Sequence, residues 1–251
     1  MLSVSAQPQR GWEAGAWLGA AQYFGDLNTN FQVNHPGPLG SLALRYNFNQ
    51  RIAAMAKVSA MRISGDDSRS TNAFEHERNL SFFTTLLEGS AQIEFNFFPY
   101  KHGSKDRFFT PYLFAGLSGF HFDPRTKYHG AVVRLQPLST EGQSKPYSLN
   151  QFGLLYGVGI KYDLDPSWSL NIEVNGRNLM TDYLDDVSTV YPDPGLLQSD
   201  LARALSNRTL HQSIEPGRQR GDRKQMDGYG ILTVGLMYYF NPLPCPKIQS
   251  R

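Results

Sequence analysis

The sequence predicts an all-β protein: an eight-stranded antiparallel β-barrel with up-and-down topology that spans an outer membrane. Two patterns indicate this fold. Apolar and polar residues alternate in eight segments, and the connections between those segments are short and long in turn. A content of 13% aromatic residues argues against disorder, and a single cysteine excludes a scaffold of internal disulfides. Basic and acidic residues nearly balance, 24 against 22, and the net charge is +2. A nucleic-acid-binding protein would carry a clear basic excess, so no nucleic-acid partner is expected.

The alternation is strictest in residues 168–177, where every second residue from Trp168 to Val174 is apolar and the residues between them are polar or charged. A period of two places one face of a β-strand in an apolar environment. Strands of a transmembrane barrel need ~9–11 residues, and eight segments are of roughly this length. The predicted strands are 12–24, 39–48, 51–63, 83–97, 108–122, 151–163, 168–177 and 228–240.

The connections determine the topology, because short segments rich in turn residues alternate with long polar ones. This asymmetry is typical of OmpA-like outer-membrane barrels, in which the periplasmic turns are short and both termini emerge on the short-turn side. We therefore expect one barrel domain, 12–240, preceded by a signal-peptide remnant or simple extension, 1–11, and followed by a periplasmic tail, 241–251. The short turns are 48–51, 99–107 and 164–167, and the long outer loops are 25–38, 64–79, 123–150 and 180–227, with a short helix predicted at 195–207.

Charged residues within the strands are expected to face the lumen, since Arg or Lys facing lipid at the membrane midplane costs about 2–4 kcal/mol. Eight strands leave an interior that side chains just fill, so a plugged lumen is predicted and a narrow channel is the alternative. A soluble lipocalin-like barrel would instead turn its apolar face inward. The residues predicted inside are Glu13, Arg45, Lys57, Glu88, Glu94, Lys161, Glu173 and Arg177.

Two short motifs carry a resemblance to a known family. One is Tyr23-Phe24-Gly25-Asp26-Leu27-Asn28 at the end of the first strand, and the other is the block Thr181–Ser188, which contains Asp182, Tyr183, Asp185 and Asp186. With Arg220-Gly221-Asp222 and Cys245-Pro246, they resemble the PorG-like outer-membrane barrels of the Bacteroidetes type IX secretion system. The resemblance implies a scaffold among outer-membrane lipids that tethers a periplasmic ring of the lipoprotein PorK and its partner PorN.

Docking residues are expected in the periplasmic turns and tail. The turn 99–107 is longer than the two to five residues that a tight hairpin needs, and it carries three cations. Cys245 is unpaired within the chain, so an intermolecular disulfide and a free thiol are both open interpretations. The expected partner-binding residues are Asn49, Arg51, Tyr100, Lys101, Lys105, Arg107, Asp165, Trp168 and Lys247.

No catalytic, cofactor, metal or small-molecule site is expected. Asp182, Asp185 and Asp186 could chelate calcium, but they lack a spaced ligand loop, and hydrogen bonds that build turns are favoured. The enzymatic alternative is a barrel that hydrolyses lipid A with Ser and His at its outer rim. Its candidates, Ser206, His211 and Ser213, belong to no nucleophile motif.

Overall fold

The computed structural model describes residues 10–29, 32–33, 35–211, 214–222 and 226–240. Within these ranges no helix is long and apolar enough to cross a membrane. The elements are ten strands, β1 (Gly11–Phe24), β2 (Gly37–Asn47), β3 (Ile52–Asp66), β4 (Ser81–Asn96), β5 (Phe109–His121), β6 (Arg125–Tyr128), β7 (Ala131–Arg134), β8 (Asn150–Asp163), β9 (Trp168–Leu179) and β10 (Gly228–Tyr239), and two short helices, α1 (Ala73–Arg78) and α2 (Asp200–Ser206).

Eight of these strands form one closed antiparallel barrel in the order β1-β2-β3-β4-β5-β8-β9-β10. The ring closes where β1 pairs with β10, from Glu13 opposite Tyr239 to Phe24 opposite Gly228. All eight predicted strands are present, and the predicted fold class is confirmed. Their ends move by a few residues; β3, for example, continues to Asp66 because its ladder with β4 extends that far.

The long loops contain structure that the alternation did not predict. β6 and β7 form a hairpin whose two turn residues, His129 and Gly130, have φ of 46° and 82°, as a type I′ turn requires. α1 is capped by the side chain of Asn72 and ends at Asn79 in the left-handed region. Elements of four and six residues are too short to show a periodicity. The helix predicted at 195–207 is observed as the shorter α2.

The outer surface of the barrel is an apolar belt. Leu18 is 73% exposed, and one apolar residue after another on each strand points outward in the same way. Water-soluble monomers rarely expose a continuous apolar patch of this size, so the belt is a lipid-facing surface. At the short-turn end it is bordered by paired aromatic rings, among them Trp12 with Tyr46 and Trp168 with Tyr238, as the interfacial girdle of a membrane barrel is.

The lumen is filled by a balanced set of charges. All eight predicted inward charges are buried, four acidic and four basic. Arg45 lies 2.8 Å from Glu13 and 3.0 Å from Glu94. The remaining ion pairs are Lys161 with Glu94 at 2.6 Å, Arg177 with Glu88 at 3.0 Å, and Lys57 with Glu173.

Val174 provides a test of the lipid-facing assignment. It lies in the middle of β9, 55% exposed, between Val158 of β8 and Leu232 of β10. We expect Val174→Arg to destabilise the barrel by about 2–4 kcal/mol in a lipid-vesicle refolding titration. The control is Val132→Arg, because Val132 is equally exposed but lies in the β6–β7 hairpin. There the change should stay within about 0.5 kcal/mol; equal penalties at both positions would contradict the assignment.

The filled lumen leads to an expectation for transport. Because ion pairs and buried rings occupy the interior, the protein reconstituted in a planar bilayer should give no steady conductance. A porin of known conductance in the same bilayer is the positive control. Reproducible channels whose conductance rises with salt concentration would contradict a plugged barrel.

Candidate functional site

The predicted docking residues that the structure describes lie around the short-turn mouth, and two of them build the turns. The Oδ1 atom of Asn49 accepts hydrogen bonds from the backbone N–H of Arg51 (2.7 Å) and Ile52 (2.9 Å). In the turn 164–167, Oδ1 of Asp165 likewise accepts hydrogen bonds from the backbone N–H of Ser167 and Trp168. These two side chains therefore fix the shape of the rim.

The cations of the rim point outward. Arg51, Lys105 and Arg107 are exposed, and Lys101 is half-buried. Arg51 donates to the carbonyl of Phe97 at 2.8 Å, and Arg107 donates to Oε1 of Gln50 at 2.9 Å. The arginines are thus held between adjacent turns, which joins the two hairpins into one surface.

Tyr100 is not where the docking prediction requires it. Only 2% of it is exposed, and its hydroxyl donates to Asp163 inside the barrel mouth. The turn folds back into the barrel because a buried aromatic ring with a satisfied hydroxyl is stable there. Tyr100 is therefore unavailable for docking, and the extra length of this turn serves to close the mouth.

His102 is the residue that the sequence analysis missed. Its ring is stacked on Tyr239, with centroids 4.6 Å apart, and its nitrogens lie 3.1 Å from Glu13 and 2.9 Å from Asp163. Burial disfavours the cation, but the hydrogen bonds to Asp163 and Glu13 outweigh it and raise the pKa of His102 to about 9. His102 is therefore a buried cation at neutral pH.

The remaining docking predictions have different outcomes. Trp168 is 39% exposed and packs against Tyr238, so it belongs to the aromatic girdle. Cys245 and Lys247 lie outside the described residues, as do the tail 241–251 and residues 1–9 of the N-terminal segment.

At the opposite mouth the two family motifs meet in one cluster. The hydroxyl of Tyr23 lies 2.6 Å from Oδ2 of Asp185 and 2.8 Å from Oδ1 of Asp227. Asn28 of the first motif donates to the carbonyl of Tyr23 at 2.8 Å. Residues separated by more than 160 positions in the sequence therefore lie side by side above the barrel.

Glycines make this close packing possible. A Cβ atom on Gly25 would lie 2.0 Å from Oδ1 of Asp227, and one on Gly221 would lie 2.5 Å from Oδ2 of Asp26. Asp26 also accepts a hydrogen bond from the backbone N–H of Asp222. The glycines let loops from three parts of the chain approach the acidic cluster.

Two buried arginines balance part of the acidic charge. Arg78 of α1 lies 2.7 Å from Asp67 and donates to the carbonyls of Asp26 and Arg220. Arg220 lies 2.9 Å from Glu141. Because Arg220 is only 2% exposed, the tripeptide that it begins is a structural element of the cap.

The loops thus form a cap with its own core. Leu27, Leu184 and Leu205 pack together in a cluster that extends into the upper barrel. Asp185 accepts a hydrogen bond from the backbone N–H of Val187, as the turn-building interpretation predicts, whereas Asp186 accepts from Thr140 and Tyr147, 46 and 39 residues away, and so joins two loops. No group of three or more potential metal ligands of the His, Cys, Asp or Glu type occurs in the described part of the chain.

The carboxyl groups of the cap hold their protons more tightly than usual. Burial raises the pKa of Asp26 and of Asp186 to about 6 and that of Asp182 to about 7. Burial, reinforced by neighbouring acids, raises the pKa of Asp185 and of Asp227 well above the ordinary value. One oxygen each of Asp26 and Asp182 is buried without a hydrogen-bond partner.

The enzymatic candidates do not form a site in the described residues. Ser206 is buried at the end of α2, where its carbonyl accepts a hydrogen bond from Arg220. His211 lies on the surface and pairs with Glu77 at 2.7 Å. Ser213 lies outside the described residues.

The raised pKa values predict how the cap responds to pH. The folded cap binds protons more tightly than the unfolded chain, whose Asp pKa is about 4. The contribution of these protons to stability is therefore complete below about pH 4 and is lost as the pH rises from there to about 6 for Asp26 and about 7 for Asp182. We expect Asp182→Asn to raise the urea midpoint at pH 8 and to leave it nearly unchanged at pH 4, where Asp182 is protonated in the folded state.

Asp106→Asn is the matched control, because it removes one carboxylate from the exposed opposite rim. It should change neither midpoint appreciably. If Asp182→Asn lowered the midpoint at pH 8, the proposed cost of burying the ionised Asp182 would be wrong.

Comparisons with known proteins agree with the barrel. The crystal structure of OprG from Pseudomonas aeruginosa is similar over 93% of this chain and 97% of its own, with 11% identity and a TM-score of 0.51. The structure of Neisserial surface protein A (NspA) is similar over 92% of this chain and 97% of its own, with 13% identity and a TM-score of 0.47. The structure of Ail from Yersinia pestis is similar over 92% of this chain and 100% of its own, with 12% identity and a TM-score of 0.45. At these identities the OprG likeness supports the fold alone.

Sequence comparison gives the family. No curated protein matches the chain in sequence. The model of a family described as "Domain of unknown function (DUF6089)" matches residues 1–196, which include β1 to β9 and the two motifs that meet at Tyr23 and Asp185. The chain is therefore a member of the DUF6089 family, with an eight-stranded barrel of the outer-membrane type.

Proposed function

We propose that the protein is an outer-membrane scaffold of the type IX secretion system that tethers the periplasmic PorK/PorN ring through its short-turn rim. Both termini would then be periplasmic and the cap would face the outside. The resemblance of the two motifs to PorG-like barrels suggests the system. The lipid-facing belt supports the membrane setting, and the plugged lumen favours a role for the outer surfaces over transport.

The observation that carries the proposal is the fixed, cationic rim. Besides the buried His102, the three short turns hold four cations, Arg51, Lys101, Lys105 and Arg107, against two acids, Asp106 and Asp165. Tyr100 and His102 fix the longest turn in the mouth, so the backbone that carries its two lysines needs little further ordering on binding. Preorganised charge of this kind favours the association of a complementary, acidic partner surface.

Anchoring is also favoured over catalysis. A barrel hydrolase needs a nucleophile beside a base at an accessible rim, whereas Ser206 is buried and His211 is paired with Glu77. We propose that the protein has no enzymatic activity and takes no cofactor.

Charge reversal tests the docking surface. We expect Lys101→Glu/Lys105→Glu to reduce the ring proteins that co-purify from native membranes by at least about fivefold, since each exposed ion pair contributes ~0.2–1 kcal/mol and each reversal replaces attraction with repulsion. The readout is identification and quantification of co-purified proteins. Barrel folding, followed by the heat-dependent shift on a gel, should be unchanged.

The matched control reverses two exposed cations of the long loops, Lys145→Glu/Arg218→Glu. This variant should retain the ring at the wild-type level. Loss of the ring in the control and its retention in the rim variant would place docking on the opposite side. Absence of PorK- and PorN-like proteins from the wild-type preparation would overturn the type IX assignment.

A further inference from the structure

A basic pocket lies on the outside of the barrel at its long-loop end. It has a volume of about 330 Å³, and its lining includes His35, Arg62, Asp66, Arg69, Phe83 and Lys127. Arg62 projects outward from β3, because the residues on either side of it, Met61 and Ile63, are buried. The pocket therefore opens beside the apolar belt and not into the lumen.

The charges of this pocket are largely uncompensated. Within the described ranges, neither Arg62 nor Lys127 has a carboxylate within ion-pair distance. Nearby, Arg125 and Arg134 are both paired with Asp123, at 2.8 and 2.9 Å. The acid of the pocket, Asp66, accepts hydrogen bonds from Ser68 and lies 3.8 Å from Arg69. Three cations thus face a single carboxylate.

The position of Arg62 along β3 matches the edge of the membrane. The outward residues before it, from Ile52 to Ala60, are all apolar. At ~3.3 Å per residue and a strand tilt of ~40°, the segment from Ile52 to Arg62 spans about 25 Å along the membrane normal, which is the height of a barrel's apolar band. Arg62 is therefore the first charge above the lipid tails on this strand.

An aromatic ring completes the arrangement. The guanidinium of Arg62 lies over the ring of Phe83, 4.8 Å from its centroid. Arg69 is held beside it by His35, whose Nε2 lies 2.9 Å from Nη1 of Arg69. Cations therefore lie above an apolar surface. This arrangement is complementary to a lipid, whose anionic headgroup lies above its acyl chains.

We propose that this pocket binds the phosphate-bearing headgroup of an outer-leaflet lipid. Arginine guanidinium groups match phosphate oxygens in a bidentate geometry, and lysine adds a point charge. Acyl chains of the same lipid would lie against Phe83 and the belt below it. The inference rests on the proposed orientation of the barrel, with the long loops outside, and is independent of the secretion role.

Lipid retention by the purified barrel tests the proposal. The full chain in a neutral detergent is titrated with bisphosphorylated lipid A, and bound lipid is counted by native mass spectrometry. Arg62→Gln/Lys127→Gln should weaken retention at least fivefold. The control, Arg51→Gln/Lys105→Gln, removes two exposed cations from the opposite rim and should bind like the wild type. Because all four side chains are exposed, the gel shift of the folded barrel should persist in both variants.

Two further probes identify the chemistry. Dephosphorylated lipid A should be retained no better by the wild type than by the pocket variant. Inorganic phosphate at the same concentration should not displace the lipid, because it lacks the acyl chains. Equal retention by wild type and pocket variant, equal retention of both lipids, or displacement by phosphate would each overturn the proposal. The pocket variant should still co-purify the ring, so the two proposals fail separately.

Discussion

Arg45 holds the position on which the interior of the barrel depends. It bridges Glu13 of β1 and Glu94 of β4, and Glu94 also binds Lys161 of β8. With Arg45 itself on β2, the network joins four strands, β1, β2, β4 and β8. A buried charge without a partner destabilises a fold strongly, so the network is stable only when all four strands supply their charged residues. A lumen packed in this way favours a function carried by the two rims and the outer wall.

The two mouths are closed by opposite means. At the short-turn mouth one cation, His102, lies between two carboxylates, so charge is compensated locally. At the long-loop mouth the buried aspartates outnumber the arginines that reach them. The buried charges of the first mouth are therefore paired, whereas the second mouth gains stability from bound protons. In the proposed orientation, an acidic environment outside the cell would strengthen the cap without affecting the short-turn rim.

Much of the barrel could be predicted because it depends on local pattern. Alternation identifies all eight barrel strands, and the cost of facing lipid places every one of the eight charges inside. The sequence could not show that Tyr100 and His102 turn inward, since their partners, such as Asp163, lie on another hairpin. Nor could it show that Tyr23 meets Asp185 and Asp227, which are 162 and 204 residues away. The length of the turn 99–107 was a signal that it folds into the barrel mouth, but its charge and length alone fit a docking loop equally well.

The barrel closes where β1 pairs with β10. At each end of this strand pair, a residue of β10 or of the segment just before it makes a further contact. At one end Asp227 binds Tyr23 of β1. At the other, Tyr239 donates to the carbonyl of Arg10 and stacks on His102. A chain that has not joined its first and last strands therefore lacks, besides the closure of the ring, the Asp227–Tyr23 contact at one mouth and the Tyr239–Arg10 contact at the other. The final strand thus completes the ring and helps to close both of its ends.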